Sequence, residues 1–131
     1  MSQVMVRMSP QACTDITDTL RFTQARLGES VRNQYQDLLQ TTLHSIAEQP
    51  TLPGSKVRDE LSPGLRSLHL SFNVLHVAGG RMISPRHIVF YRTGRDQIVE
   101  VLRVLHDAME VAQCLSHLHQ GSPQDSEKIV R

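Results

Sequence analysis

Residues 98–105 read IVEVLRVL, and this octet decides the architecture. Apolar residues fall on both faces of its two-residue alternation, broken only by Glu100 and Arg103. Both faces therefore need cover, which makes it an interior strand. Just before it, TGRDQ at 93–97 carries turn residues around Gly94, and His87 to Tyr91 supplies an antiparallel mate, so 87–105 reads as a hairpin. Further back, Leu68, Leu70, Phe72 and Val74 alternate with Ser67, His69, Ser71 and Asn73, the pattern of a half-buried strand. Residues 75–85, with Gly79, Gly80 and Pro85, read as an extended loop between the two.

Such a sheet needs a cover, and the N-terminal third provides it. Val4, Val6 and Met8 alternate with Met5 and Arg7 and predict a short strand that stops at Ser9 and Pro10. Ser9 can cap a helix and Pro10 suits its first position, where the missing N–H is harmless. Ala12, Ile16, Leu20, Thr23 and Leu27 then recur at steps of three and four, with Gly28 as a stop that tolerates positive φ. Val31, Tyr35, Leu38, Leu39, Thr42, Leu43, Ile46 and Ala47 form a second apolar stripe ending before Pro50. Two such helices joined at a glycine make a helical hairpin. The link QPTLPGSKVRDELSPG at 49–64 is too rich in Pro and Gly for regular structure across its length. After the last strand, Ala108, Met109, Val111, Ala112, Leu115 and Leu118 predict a C-terminal helix over 106–119, and 121–131 reads as a frayed tail. The expectation is one α+β domain over 1–120: a small antiparallel sheet in the order β-α-α-β-β-β, packed by the helical hairpin, with an added C-terminal helix.

Composition narrows the function classes. In 131 residues, 14 Lys and Arg face 13 Asp and Glu, and 39% of residues are hydrophobic, a balance that supports a folded core rather than a disordered polyelectrolyte. The longest uncharged stretches contain His, Ser, Asn or Gly and fall short of a membrane span, and the first ten residues lack a signal-peptide apolar run, so a cytoplasmic protein is expected. Cys13 and Cys114 belong to no ligand pair and read as small apolar fillers. His117 and His119 lie close together, but no two of the seven histidines stand four apart on a helix, and no metal or other cofactor is expected. Arg outnumbers Lys 12 to 2, favouring planar contacts with carboxylates or phosphates. Residues 56–103 hold eight cations against four carboxylates, while 104–131 is net acidic.

Recognised active-site motifs are missing: there is no GxSxG, no phosphate loop and no HExxH. A set of short phrases stands out instead: VRMSPQACTDI at 6–16, SIAEQP at 45–50, DELSPGLRSLHL at 59–70, PRHIVFYR at 85–92 and VLRVLHDAM at 101–109. In this order they resemble the ParE branch of the RelE/ParE toxin superfamily, the plasmid stabilisation proteins. The resemblance runs from about residue 4 to residue 110.

That resemblance implies the toxin of a type II toxin–antitoxin pair, neutralised by a cognate ParD-like antitoxin. ParE-type members are understood to poison DNA gyrase, whereas RelE-type members cleave messenger RNA on the ribosome. Arg66 and Arg103 match the superfamily positions where arginines recur, and in the nuclease alternative they clamp the scissile phosphate with His106 as general acid. The RelE lysine cluster is absent and no Tyr follows the last strand, which favours inhibition by binding over catalysis. A third alternative is a degenerate toxin that keeps only antitoxin binding. Residues expected to face partners are Arg58, Arg66, Arg86, Arg103 and His106, with Met109 and Leu115 on the C-terminal helix. An antitoxin of this kind covers a helix and a sheet edge, so removal of 107–131 is expected to weaken it.

Structural roles compete for the same residues. Arg66 could close a salt bridge with Asp59 or Glu60. A strand arginine such as Arg103 is costly unless its guanidinium reaches water or a carboxylate, so the end of its strand, His106 included, is expected to be tied to Asp107 or to the helical hairpin. His87 beside Arg86 caps the strand pair, Gly64 supplies a turn geometry closed to other residues, and Phe90 and Tyr91 fill the core and the sheet surface. About a dozen residues within 72–85 are inserted relative to short ParE chains, either as partner surface or as inert elaboration.

Overall fold

The computed structural model describes residues 5–76 and 84–115. Strand β1 (Val6–Met8) leads directly into α1 (Pro10–Leu27), and α2 (Glu29–Glu48) follows after Gly28. Ser9 caps α1 as its sequence indicates: its Oγ accepts the Ala12 N–H at 2.9 Å, and Pro10 opens the first turn. Gly28 takes φ 96°, closing α1 while its carbonyl accepts from Arg32 to start α2. Strands β2 (Lys56–Val57), β3 (Arg66–His69), β4 (His87–Thr93) and β5 (Val99–His106) follow, and a short helix α3 (Val111–Cys114) is the last element among the described residues.

The α+β architecture is as the sequence indicates, with a helical hairpin against one sheet. The five strands lie in the order β1-β5-β4-β3-β2, and β5 is interior, flanked by β1 and β4. Pairing is antiparallel from β2 through β5, but β1 runs parallel to β5, so the sheet is mixed. β1 reaches the edge of β5 that β4 leaves open, and the helices carry the chain away before β2 begins on the opposite edge.

Three local expectations are corrected. The strand expected through Val74 ends at His69, and Leu70–His76 forms a 3₁₀ helix. Its partner explains the stop: His69 pairs with Ile88, and β4 begins at His87, so residues beyond 69 have almost nothing to pair with. The Ser71 N–H turns back onto His69 Nδ1 at 3.1 Å, and Asn73 is drawn to Thr42 of α2 at 3.4 Å. The link contains a two-residue strand, β2, where its composition predicts no regular structure. The C-terminal helix starts at Val111 rather than near 106, after a turn; residues 116–131 and the loop at 77–83 lie outside the described residues.

Among the described residues, two cores sandwich the sheet. On the hairpin side, Ala12, Leu20, Tyr35, Leu38, Leu39 and Ile46 meet Leu68, Leu70, Val89, Tyr91, Val99, Val101 and Val104. On the other side, Leu61, Leu65, Phe90, Leu102, Leu105 and Leu115 pack together, with Ile88, Val111 and Cys114 beside them. Phe90 and Tyr91 thus face opposite ways and both are fully buried. Cys13 is exposed, which corrects its reading as a core filler, while Cys114 is half-buried. Gly64 takes φ 81°, and its N–H is held by Asp59 Oδ1 at 2.9 Å.

Candidate functional site

Arg103 is placed by a bulge. Phe90 pairs with Arg103 but Tyr91 pairs with Val101, so Leu102 is the extra residue on β5. The bulge aims the guanidinium toward α1, where Nε donates to Asp15 Oδ2 at 2.8 Å and an Nη to Asp15 Oδ1 at 3.0 Å. A second Nη donates to the Cys114 carbonyl at 3.3 Å. Asp15 Oδ2 also accepts the Val104 N–H at 2.9 Å, and Ser9 Oγ donates to the Leu102 carbonyl at 2.7 Å. Beyond the end of β1, the side chains of Ser9 and Asp15 at the start of α1 therefore take over the edge bonding of β5. The Asp15 hydrogen bond holds the Arg103 guanidinium above its ordinary pKa. Of the two tethers considered for Arg103, the helical hairpin is the one formed. Pro10, Gln11, Thr14, Asp15 and Arg103 line a shallow surface depression there.

Arg66 lies elsewhere. It pairs with Tyr91 and shares the hairpin face, whereas Arg103 pairs with Phe90 on the opposite face. Its Nη donates to Ser55 Oγ at 2.7 Å, and its Nε is buried without a hydrogen-bond partner. Neither Asp59 nor Glu60 reaches it: Glu60 is held by Arg58 at 2.7 Å and Asp59 by Gly64. Arg58 also stacks over Phe90, 5.8 Å from the ring centroid.

The third group gathers at one end of the sheet, where β3, β4 and β5 each contribute a histidine. His69 Nε2 meets Asp107 Oδ2 at 2.9 Å, and Arg86 Nη reaches Asp107 Oδ1 at the same distance. These two partners, Arg86 foremost, hold the Asp107 carboxyl down at about 2. His87 and His106 stand opposite each other in the β4–β5 register and meet edge to face, with centroids 5.3 Å apart. The Arg86 N–H donates to Tyr35 Oη at 3.1 Å, and Tyr35 Oη shares a hydrogen bond of 2.6 Å with His87 Nδ1. His87 Nε2 then faces Thr19 Oγ1 at 3.4 Å. Burial, reinforced by His106, pushes His87 down to about 4, and burial pushes the Tyr35 hydroxyl up to about 12. A neutral His87 thus joins β4 to both helices.

His106 is partly exposed and its Nδ1 accepts the Ala108 N–H at 3.0 Å. Of the apolar pair expected to face partners, Met109 is 45% exposed, whereas Leu115 is fully buried in the second core and its side chain is committed to the fold. Asp15, Tyr35 and His69 are not among the sequence candidates. The cost of a strand arginine points to a carboxylate on the hairpin, which is the signal for Asp15. Nothing local marks Tyr35 or His69, because their partners lie 52 and 38 positions away. Among the described residues, no group of three or more His, Cys, Asp or Glu could hold a metal ion, and no helix is long and apolar enough to cross a membrane.

Comparison with known proteins supplies the family. Residues 6–111 match the family model of the ParE toxin of the type II toxin–antitoxin system parDE. The chain is 32% identical over 103 residues to Toxin ParE1 of Caulobacter vibrioides, covering 79% of this chain and 88% of that protein. It is 30% identical over 104 residues to Toxin ParE1 of Mycobacterium tuberculosis, covering 79% and 90%. The matched span takes in β1 through the first residue of α3, which includes both Asp15 and Arg103, and with the fold it places this chain in the ParE toxin family of type II toxin–antitoxin systems.

Proposed function

We propose that this toxin acts in the cytoplasm by binding DNA gyrase, without substrate chemistry of its own, and that a cognate antitoxin neutralises it. The observation that carries the reading is the placement of the two superfamily arginines. Arg66 and Arg103 leave opposite faces of the sheet, and the Arg103 guanidinium, turned to the open edge of β5, is already engaged by Asp15. A ribonuclease of the RelE kind needs cations converging on one phosphate, and this arrangement supports inhibition by binding instead. Arg86, the other arginine near His106, is paired with Asp107.

Induced expression in a susceptible bacterium tests the proposal, scored in parallel for gyrase-dependent DNA breaks with SOS induction and for cleavage of reporter mRNA. DNA breakage with intact mRNA is the expected outcome. Cleaved mRNA without DNA damage would assign the activity to the ribosome-dependent alternative, and loss of toxicity with retained antitoxin binding would mark a degenerate toxin.

A further inference from the structure

Most strand and loop arginines around this sheet have a carboxylate. Arg7 meets Asp96, Arg58 meets Glu60, Arg86 meets Asp107 and Arg103 meets Asp15. Arg66, half-buried on β3, has none among the described residues: Ser55 Oγ is its acceptor, the Ser55 hydrogen is itself directed to the Leu52 carbonyl at 2.7 Å, and the buried Nε is unsatisfied. A guanidinium partly out of water with one neutral acceptor is under-compensated, and a charge-assisted bond formed there is stronger than at an open surface.

The rim of this position is apolar. Val57 stands directly opposite Arg66 in the β2–β3 register and is 57% exposed. Phe72, 55% exposed, rests against Gly54, the neighbour of Ser55, so closely that a Cβ on Gly54 would lie 2.5 Å from its ring. Resting on the family's antitoxin partner, we propose that Arg66 receives a carboxylate side chain of the antitoxin, seated between Val57 and Phe72. A nucleic-acid backbone fits the position less well, because phosphates are held by several converging cations. Lys56 pairs with Ser67 on the face opposite Arg66, and Arg103 is on that face too. One cation with an apolar rim suits an acidic residue flanked by apolar ones.

The test uses the full-length toxin and its cognate antitoxin, with affinities measured by titration calorimetry and folding checked by thermal melts. Arg66→Gln is expected to weaken binding roughly tenfold or more, Arg66→Lys to recover part of the loss, and Arg21→Gln, on the exposed face of α1, to leave it unchanged. The Arg66 15Nε resonance is expected to shift on complex formation. Val57→Glu, at an exposed edge, offers Arg66 an internal carboxylate and is expected to weaken the antitoxin even if Arg66→Gln fails to fold. Unchanged affinity in Val57→Glu and in folded Arg66→Gln, with a stationary Nε resonance, overturns the inference while leaving the family's antitoxin reading intact. Loss of binding to a single-stranded RNA oligonucleotide, with antitoxin affinity retained, overturns it in favour of a phosphate site. Failure of the wild-type toxin to bind the antitoxin removes the reading on which the inference rests, and the inference with it.

Discussion

Asp15 and Arg103 lie 88 positions apart and meet through two hydrogen bonds of 2.8 and 3.0 Å, with the Asp15 carboxylate also bonded to the Val104 N–H. One carboxylate thereby answers both the charge of a strand arginine and the open edge of β5. The Arg103 and Asp15 side chains are 19% and 13% exposed, so the pair is largely but not wholly out of water.

Removing only the carboxylate leaves the Arg103 charge and the Val104 N–H unsatisfied. Breaking a fully buried pair costs about 3–5 kcal/mol, and partial exposure here brings the expectation for Asp15→Ala to roughly 2–4 kcal/mol. Urea unfolding measures it. The double variant Asp15→Ala with Arg103→Met should lose less than the sum of the single changes, because the stranded charge is gone. Strict additivity would contradict the coupling.

Ser9 occupies two positions at once, capping α1 through Ala12 and bonding the buried Leu102 carbonyl at 2.7 Å. Loss of a helix cap costs about 0.5–2 kcal/mol, and an unsatisfied buried carbonyl adds to it. Ser9→Ala should therefore fall at or above the top of that range in chemical denaturation. A loss below about 0.5 kcal/mol would show that neither bond matters.

Acid should weaken the fold through His87. Its pKa falls from the ordinary histidine value of 6.5 to about 4 in the folded chain, so the unfolded chain binds the extra proton first. The stability held above pH 6.5 is accordingly lost as pH falls through that window toward 4. Asp107, lowered from 3.8 to about 2, adds a second loss at still lower pH. Melts across this range should show a slope that His87→Gln flattens between 6.5 and 4. An equal slope in both proteins would place the titration elsewhere.

Deletion of residues 107–131 removes Asp107, bonded to Arg86 and His69, together with Leu115 of the second core. Leu115→Ala isolates the packing part, and loss of a buried leucine side chain costs about 2–5 kcal/mol. Both variants are expected to melt well below the wild type, so any weakening of antitoxin binding in the deletion must be compared with Leu115→Ala. A deletion that melts like the wild type would show that this segment is not part of the fold.

Much of the fold is legible because it rests on local rules. The Ser9–Pro10 start, the Gly28 break and the three-and-four spacing from Ala12 to Ile46 depend on residues within a few turns of each other, and the structure keeps all three except at Leu27, which is 65% exposed at the end of α1. The strand predicted through Val74 stops early because alternation reports which residues are apolar, not whether a partner strand extends far enough to pair with them. The site is legible only in part. Arg103 announces its own need for a carboxylate, but Leu115 reads as partner surface although its side chain belongs to the second core.

The sequence by itself determined the helical hairpin, the interior strand IVEVLRVL and the requirement that Arg103 be answered. Each follows from periodicity and from the cost of burying a charge, which act on neighbouring residues. Only the tertiary structure decided that β1 runs parallel to β5, that a bulge at Leu102 turns Arg103 to Asp15, and that Arg66 lies on the other face with Ser55 rather than a carboxylate as its acceptor. Those outcomes depend on strand order and register, which bring together residues tens of positions apart, and spacing along the chain carries no record of them.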